Sequence, residues 1–221
     1  MSERSARILS VGCQVLFFVL CLGASAAAQS RLGVTTGLSW SGLGGDAPVD
    51  AEYRRVLGLN AGIVGDIALA EDVALSLQPM YARRGADIYF DVGEKEPTDS
   101  LELRLDYIDC LVMVKIFADN GYSYFTTGLG LGFLTQATLK NVRAGEEDVG
   151  SLFKDVDVSV AFGVGFMVPA KSSLLTFELR YQQSLINMFD FDADTSIEAL
   201  APRLRSSGLQ LLAAVLFPRG D

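Results

Sequence analysis

Val156-Asp157-Val158-Ser159-Val160-Ala161-Phe162-Gly163-Val164-Gly165-Phe166-Met167-Val168 decides the fold. Every second residue is valine or phenylalanine, and those between are small or polar apart from Met167. Side chains alternate across a strand, so this stretch sets bulky hydrocarbon on one face and little on the other. Wound as a helix, it would scatter both sets around the circumference.

The period of two recurs along the chain. Leu175, Phe177, Leu179 and Tyr181 alternate with Thr176, Glu178, Arg180 and Gln182. Val73, Leu75, Leu77 and Tyr81 alternate with Ala74, Ser76, Gln78 and Ala82, and Leu57, Leu59, Ala61, Ile63 and Ile67 with Gly58, Asn60, Gly62 and Asp66. The charge-free run from Gly121 to Leu139 carries Gly128, Gly130 and Gly132 at every second position, a spacing that wastes helix propensity but suits a strand. That Gly-x-Gly-x-Gly is not a nucleotide loop, because no helix or distal acid follows. Less regular segments bring the strands to eight, at 32–41, 56–68, 73–84, 101–117, 122–136, 155–168, 173–186 and 204–217.

Their connections alternate strictly. Residues 69–72, 118–121 and 169–172 are tight turns, the second holding Asn120-Gly121; residues 42–55, 85–100, 137–154 and 187–203 are long and polar. Short turns at one end, long loops at the other and an even strand number describe an eight-stranded antiparallel up-and-down transmembrane β-barrel. Each segment reaches the roughly 9–11 tilted residues that cross a bilayer.

Composition narrows the setting. The 221 residues suit one domain, and 50% hydrophobic residues with 22 glycines fit an all-β chain better than disorder or a helical bundle. Residues 1–28 read as a cleavable export signal: Arg4 and Arg7, an apolar run from Val11 to Leu22, and small residues ending in Ala26-Ala27-Ala28. The expected domain division is thus 1–28 and 29–221. Cleavage removes Cys13 and Cys21 and leaves Cys110 alone; it also removes Glu3, Arg4 and Arg7, moving the formal charge from −9 to −10. That acidity argues against a nucleic-acid partner.

In a membrane barrel the bulky face meets lipid and the polar face lines the lumen. Val158, Val160, Phe162, Val164, Phe166, Phe177 and Leu179 are therefore expected to face lipid. Asp66, Arg84, Glu102, Arg104, Asp106, Asp109, Lys115, Asp157, Glu178 and Arg180 are expected to form a polar network inside. In the fourth segment Leu101, Leu103, Leu105 and Tyr107 share one parity, and Cys110, Val112, Val114 and Ile116 the other, which predicts a bulge near Ile108–Asp109. Trp40, Tyr53, Tyr81, Tyr107 and Tyr181 fall near the loop ends, and Phe117, Tyr122 and Phe217 near the turn ends, as interfacial girdles would.

Short pieces in a specific order carry a family resemblance: Gly33-Val34-Thr35-Thr36-Gly37-Leu38; Ser76-Leu77-Gln78-Pro79 with Arg84-Gly85-Ala86; Leu105-Asp106-Tyr107-Ile108-Asp109 with Lys115; Gly130-Leu131-Gly132-Phe133-Leu134; and Arg180-Tyr181 with Leu185-Ile186-Asn187. From the first strand to the last, the chain resembles the PorT-like outer-membrane β-barrel proteins. The resemblance implies the bacterial outer membrane as location and says little of activity.

No histidine occurs, which removes the usual general base and zinc ligand and argues against an enzyme. Carboxylate pairs such as Asp106 with Asp109, or Glu178 near Asp157, are read as structural ions rather than a hydrolytic dyad. Asp190, Asp192 and Asp194 imitate the opening of a calcium loop without its glycine and closing glutamate, and no cofactor is expected. Arg83 and Arg84 stand where a rim would meet lipopolysaccharide phosphate. The expected partners are outer-membrane lipid, the barrel-assembly machinery and an unidentified envelope protein. A non-enzymatic barrel serving envelope structure, surface binding or a secretion assembly leads; a narrow pore and a secreted soluble lipid-binding barrel are the alternatives.

Overall fold

The computed structural model describes residues 30–45, 51–90, 100–141, 145–188 and 204–218. Nine strands follow one another: β1 (Ser30–Gly45), β2 (Ala51–Ala68), β3 (Val73–Phe90), β4 (Ser100–Phe117), β5 (Ser123–Asn141), β6 (Gly145–Asp148), β7 (Val156–Ala170), β8 (Ser173–Ser184) and β9 (Leu204–Pro218). All neighbours pair antiparallel; β1 meets both β2 and β9, and β4 meets β5, so eight strands close into a barrel. Short β6 only extends the edge of β5. The first and last segments of the fold, Leu32 and Phe217, are direct partners in the closing seam.

The tight turns lie where the sequence puts them. Asn120 Oδ1 accepts the backbone N–H of Tyr122 and of Ser123, both at 2.9 Å, and Gly121 takes φ +68° to close the hairpin. At the other end the strands run further than the periodicity indicates, with β3 continuing to Phe90 and β5 to Asn141.

Large hydrocarbon points outward. Val164 is 56% exposed and Phe162 44%, whereas Asp157 is 2% and Arg180 1% exposed. On β4 the outward apolar row is Ile108, Cys110, Val112, Val114 and Ile116; on β1 it runs from Leu32 to Trp40. Five outward positions cover about ten residues, a band roughly 25 Å tall on strands tilted near 45°. Exposing that band to water would be costly, and it matches the hydrocarbon thickness of a membrane.

The strand-four bulge is corrected. β4 keeps one unbroken alternation, and the extra residue is Thr135 of β5, between the pairs Asp106↔Gln136 and Tyr107↔Leu134. Leu103, Leu105 and Tyr107 therefore share the inner face with Asp109, Leu111, Met113 and Lys115. Two of the expected girdle aromatics turn inward with them: Tyr107 is buried, and Tyr53 packs on the same inner cluster.

Candidate functional site

The lumen is filled in layers. Nearest the turns, Lys115 of β4 donates to both carboxylate oxygens of Asp66 on β2, at 3.0 and 2.9 Å. Above it, Arg180 of β8 donates through Nε to Glu178 Oε1 at 2.7 Å and through Nη2 to Gln78 Oε1, also at 2.7 Å. Gln78 sits on β3, directly across the ring of strands, so this contact bridges the whole bore. The Tyr124 hydroxyl donates to the second Glu178 oxygen at 2.9 Å.

An apolar layer of Met80, Leu111, Met113, Ala161 and Leu212 separates this group from a second polar one. There Arg84 donates to Asp157 Oδ2 at 2.7 Å and, through its other nitrogen, to Asp109. The Ser184 hydroxyl donates to Asp157, and Gln182 donates to Ser159 at 2.9 Å and Asp109 at 3.3 Å. Gly132 makes room for the group: a Cβ there would stand 2.7 Å from Asp109 Oδ1. Each buried charge has an ionic partner, the condition under which burial of charge is tolerated.

Nearest the loops the lumen becomes apolar. Leu43, Ala86, Leu103, Leu105, Leu134, Ala137 and Leu204 pack with Val149, Phe153 and Met188, which the segments after β6 and β8 fold inward. The Arg84 guanidinium lies 4.8 Å from the Tyr107 ring centre and so joins the polar layer to this cap.

Of the ten residues expected inside, Asp66, Arg84, Asp109, Lys115, Asp157, Glu178 and Arg180 are buried there. Glu102, Arg104 and Asp106 are not; they occupy the outer parity of β4, above Ile108. The wall has left the hydrocarbon at that height, so charges stand outside and leucines inside, as in a soluble barrel. Arg83 pairs with Asp106 at 2.8 Å, Arg104 with Glu102 at 2.5 Å, and the Tyr81 hydroxyl donates to Asp106 at 2.7 Å. Partial burial, reinforced by the adjacent Glu102 charge, holds the Asp87 carboxyl above its ordinary range against the pull of Arg104 and Arg54.

Arg83 and Arg84 part company, one on the outer wall and one in the lumen, because neighbours on a strand face opposite ways. The same rule separates Asp106 from Asp109. The carboxylates brought together instead are Asp109 and Asp157, with Arg84 between them. Among the described residues no group of three or more metal-ligating side chains assembles, and Asp190, Asp192 and Asp194 lie outside those residues. Val158, Val160, Phe162, Val164, Phe166, Phe177 and Leu179 all fall on the outward parity of their strands.

A closed eight-stranded wall with hydrocarbon outside and paired charges within defines an outer-membrane β-barrel. The chain belongs to the outer membrane protein beta-barrel domain family, which it matches over residues 25–190, and that family places it in the bacterial outer membrane. Among solved structures it is similar to Neisserial surface protein A, at 13% identity and TM-score 0.47, over 83% of this chain and 96% of that one. It is also similar to Ail, the attachment invasion locus protein of Yersinia pestis, at 13% identity and TM-score 0.44, over 86% and 99%. OprG of Pseudomonas aeruginosa gives 8% identity and TM-score 0.45, over 89% and 98%. No curated protein matches the sequence.

Proposed function

We propose that this protein is a non-conducting, non-catalytic barrel of PorT-like type that anchors a projecting loop end in the outer membrane, for surface binding, envelope support or a secretion assembly. The contact that carries this reading is Arg180 to Gln78, 2.7 Å across the full bore, with the Arg84 layer and the apolar cap stacked above it. An eight-stranded interior is narrow enough for side chains to fill, and here charges are spent on one another rather than offered to a solute. In this reading residues 1–28 are a cleaved export signal, the tight turns face the periplasm and the long loops face outward.

Partners follow from the same reading. Lipid contacts the outer band, the barrel-assembly machinery inserts the chain, and an envelope protein meets the tall charged wall of β2–β5 that rises past the hydrocarbon. Planar-bilayer recording tests the central point: the expected trace carries no steady unitary current, and a reproducible open level would sink the plugged-barrel reading. Surface labelling of tags placed within 91–99, between β3 and β4, fixes the orientation.

A further inference from the structure

The cationic side chains described on the outer wall above the apolar band differ in what they face. Arg83 and Arg104 are tied to Asp106 and Glu102. Arg55 on β2 and Arg205 on β9 are exposed, and among the described residues neither guanidinium pairs with a carboxylate.

These two flank one strand. Arg205 stands beside Gly44 of β1, and Arg55 lies against Gly42: a Cβ on Gly42 would come within 2.8 Å of the Arg55 side chain, and one on Gly44 would meet nothing within 4 Å. The outer face of β1 at this height is therefore a shallow notch whose open floor is Gly44, with the Arg55 side chain lying across buried Gly42 at its lower side. The arginines are two strands apart and two residues offset, about 12 Å between their backbones, so side chains of their length reach one bound group between them. Trp40 forms the lower lip, with the Arg55 guanidinium 5.4 Å from its ring centre. Below it begins hydrocarbon-type surface, with Leu38, Leu57, Leu209 and Leu211 all exposed.

We infer that this notch binds the phosphate of a membrane lipid. Two guanidiniums without a carboxylate partner among the described residues supply the fork geometry that suits a phosphate, and Gly44 lets the group approach the backbone. An interfacial tryptophan under the notch places it at headgroup level, and the apolar surface beneath receives the acyl chains of the same molecule. A phosphate free in solution has no use for that lower surface, which is why a lipid is the occupant. On a chain of formal charge −9, two neighbouring arginines that pair with no carboxylate among the described residues are a local feature that overall charge does not produce.

Trp40 is the only tryptophan in the sequence, so its emission reports this place alone. The full chain is refolded into phosphatidylcholine nanodiscs containing a small, fixed fraction of brominated-chain lipid. Brominated phosphatidic acid is expected to quench Trp40 severalfold more than brominated phosphatidylcholine at equal fraction, since each basic residue near the surface favours an anionic lipid. Arg55→Gln with Arg205→Gln is expected to bring the two lipids level, as is Gly44→Val, which fills the notch and keeps both charges. Arg83→Gln is expected to leave the preference intact. Heat-modifiable migration reports that each variant is folded. Equal quenching in the unaltered chain, or a preference that survives the double variant, overturns the inference. So does loss of the preference to added inorganic phosphate but not to chloride of equal ionic strength, which assigns the notch to a soluble anion.

Discussion

Arg84 on β3 and Asp157 on β7, three strands apart around the barrel, meet at 2.7 Å inside the lumen, and the same guanidinium also holds Asp109 of β4. One cation thus ties three walls together at the floor of the apolar cap. The planar fork of arginine serves two carboxylates at once, which a single ammonium point charge does poorly.

Replacing Arg84 by methionine leaves two carboxylates buried without their counter-charge. The expected cost is about 3–5 kcal/mol, measured as a lowered urea midpoint for unfolding from detergent or bilayer. Arg84→Lys is expected to recover only part of it. A variant as stable as the parent would mean that the Arg84 layer does not hold the walls.

The outward face makes a second prediction about depth. Val112 is the middle of the outward row on β4 and is 50% exposed, so Val112→Arg is expected to cost about 2–4 kcal/mol in a bilayer. Arg104 lies four outward positions higher on the same strand, where Arg104→Leu is expected to change stability by less than about 0.5 kcal/mol. Equal penalties at both sites would place the hydrocarbon boundary elsewhere.

Strand number, strand order and turns were legible because a wall with lipid on one side and packed side chains on the other repeats one contrast of size over whole strands. Phe162 against Asp157 is that contrast in a single segment. The fate of Glu102, Arg104 and Asp106 was not legible, because a strand that leaves the membrane keeps its pleat while its surroundings change sign. Leu103, Leu105 and Tyr107 share parity with Asp109 and Lys115; a bulge was one way to reconcile them, and an apolar cap over a polar lumen is the one the fold uses. An uninterrupted alternation from Leu101 to Lys115 was the available signal. Partners across the bore, such as Arg180 with Gln78 and Arg84 with Asp157, depend on which strands oppose each other around the ring, which local periodicity does not encode.

Gly165 makes a third prediction. A Cβ there would fall 2.4 Å from Tyr124 Cζ and 2.8 Å from the Phe177 carbonyl oxygen. The Tyr124 ring has little freedom to yield, since its hydroxyl donates to Glu178, Lys115 lies 5.3 Å from its centre and Phe117 packs beside it at 5.7 Å. Gly165→Ala is expected to cost about 1–3 kcal/mol, with a smaller loss when combined with Tyr124→Phe, which frees the ring from Glu178. Purely additive costs would show that Tyr124 is not the obstacle.

Cys110 and Asp106 together locate the outer edge of the hydrocarbon. Both are on the outward parity of β4, two outward positions apart, with Ile108 between them. Cys110 pairs with Pro79 and Leu131 in the apolar band, whereas Asp106 pairs with Arg83 in the charged wall. A charged, water-soluble maleimide acts on the thiolate, which forms in water and not in hydrocarbon. In bilayers the native Cys110 is therefore expected to resist labelling until the protein is denatured, while Asp106→Cys in a Cys110→Ser background labels readily. Rapid labelling of native Cys110 would put water against β4 at that depth, and with it against Val112, where the band is supposed to be deepest.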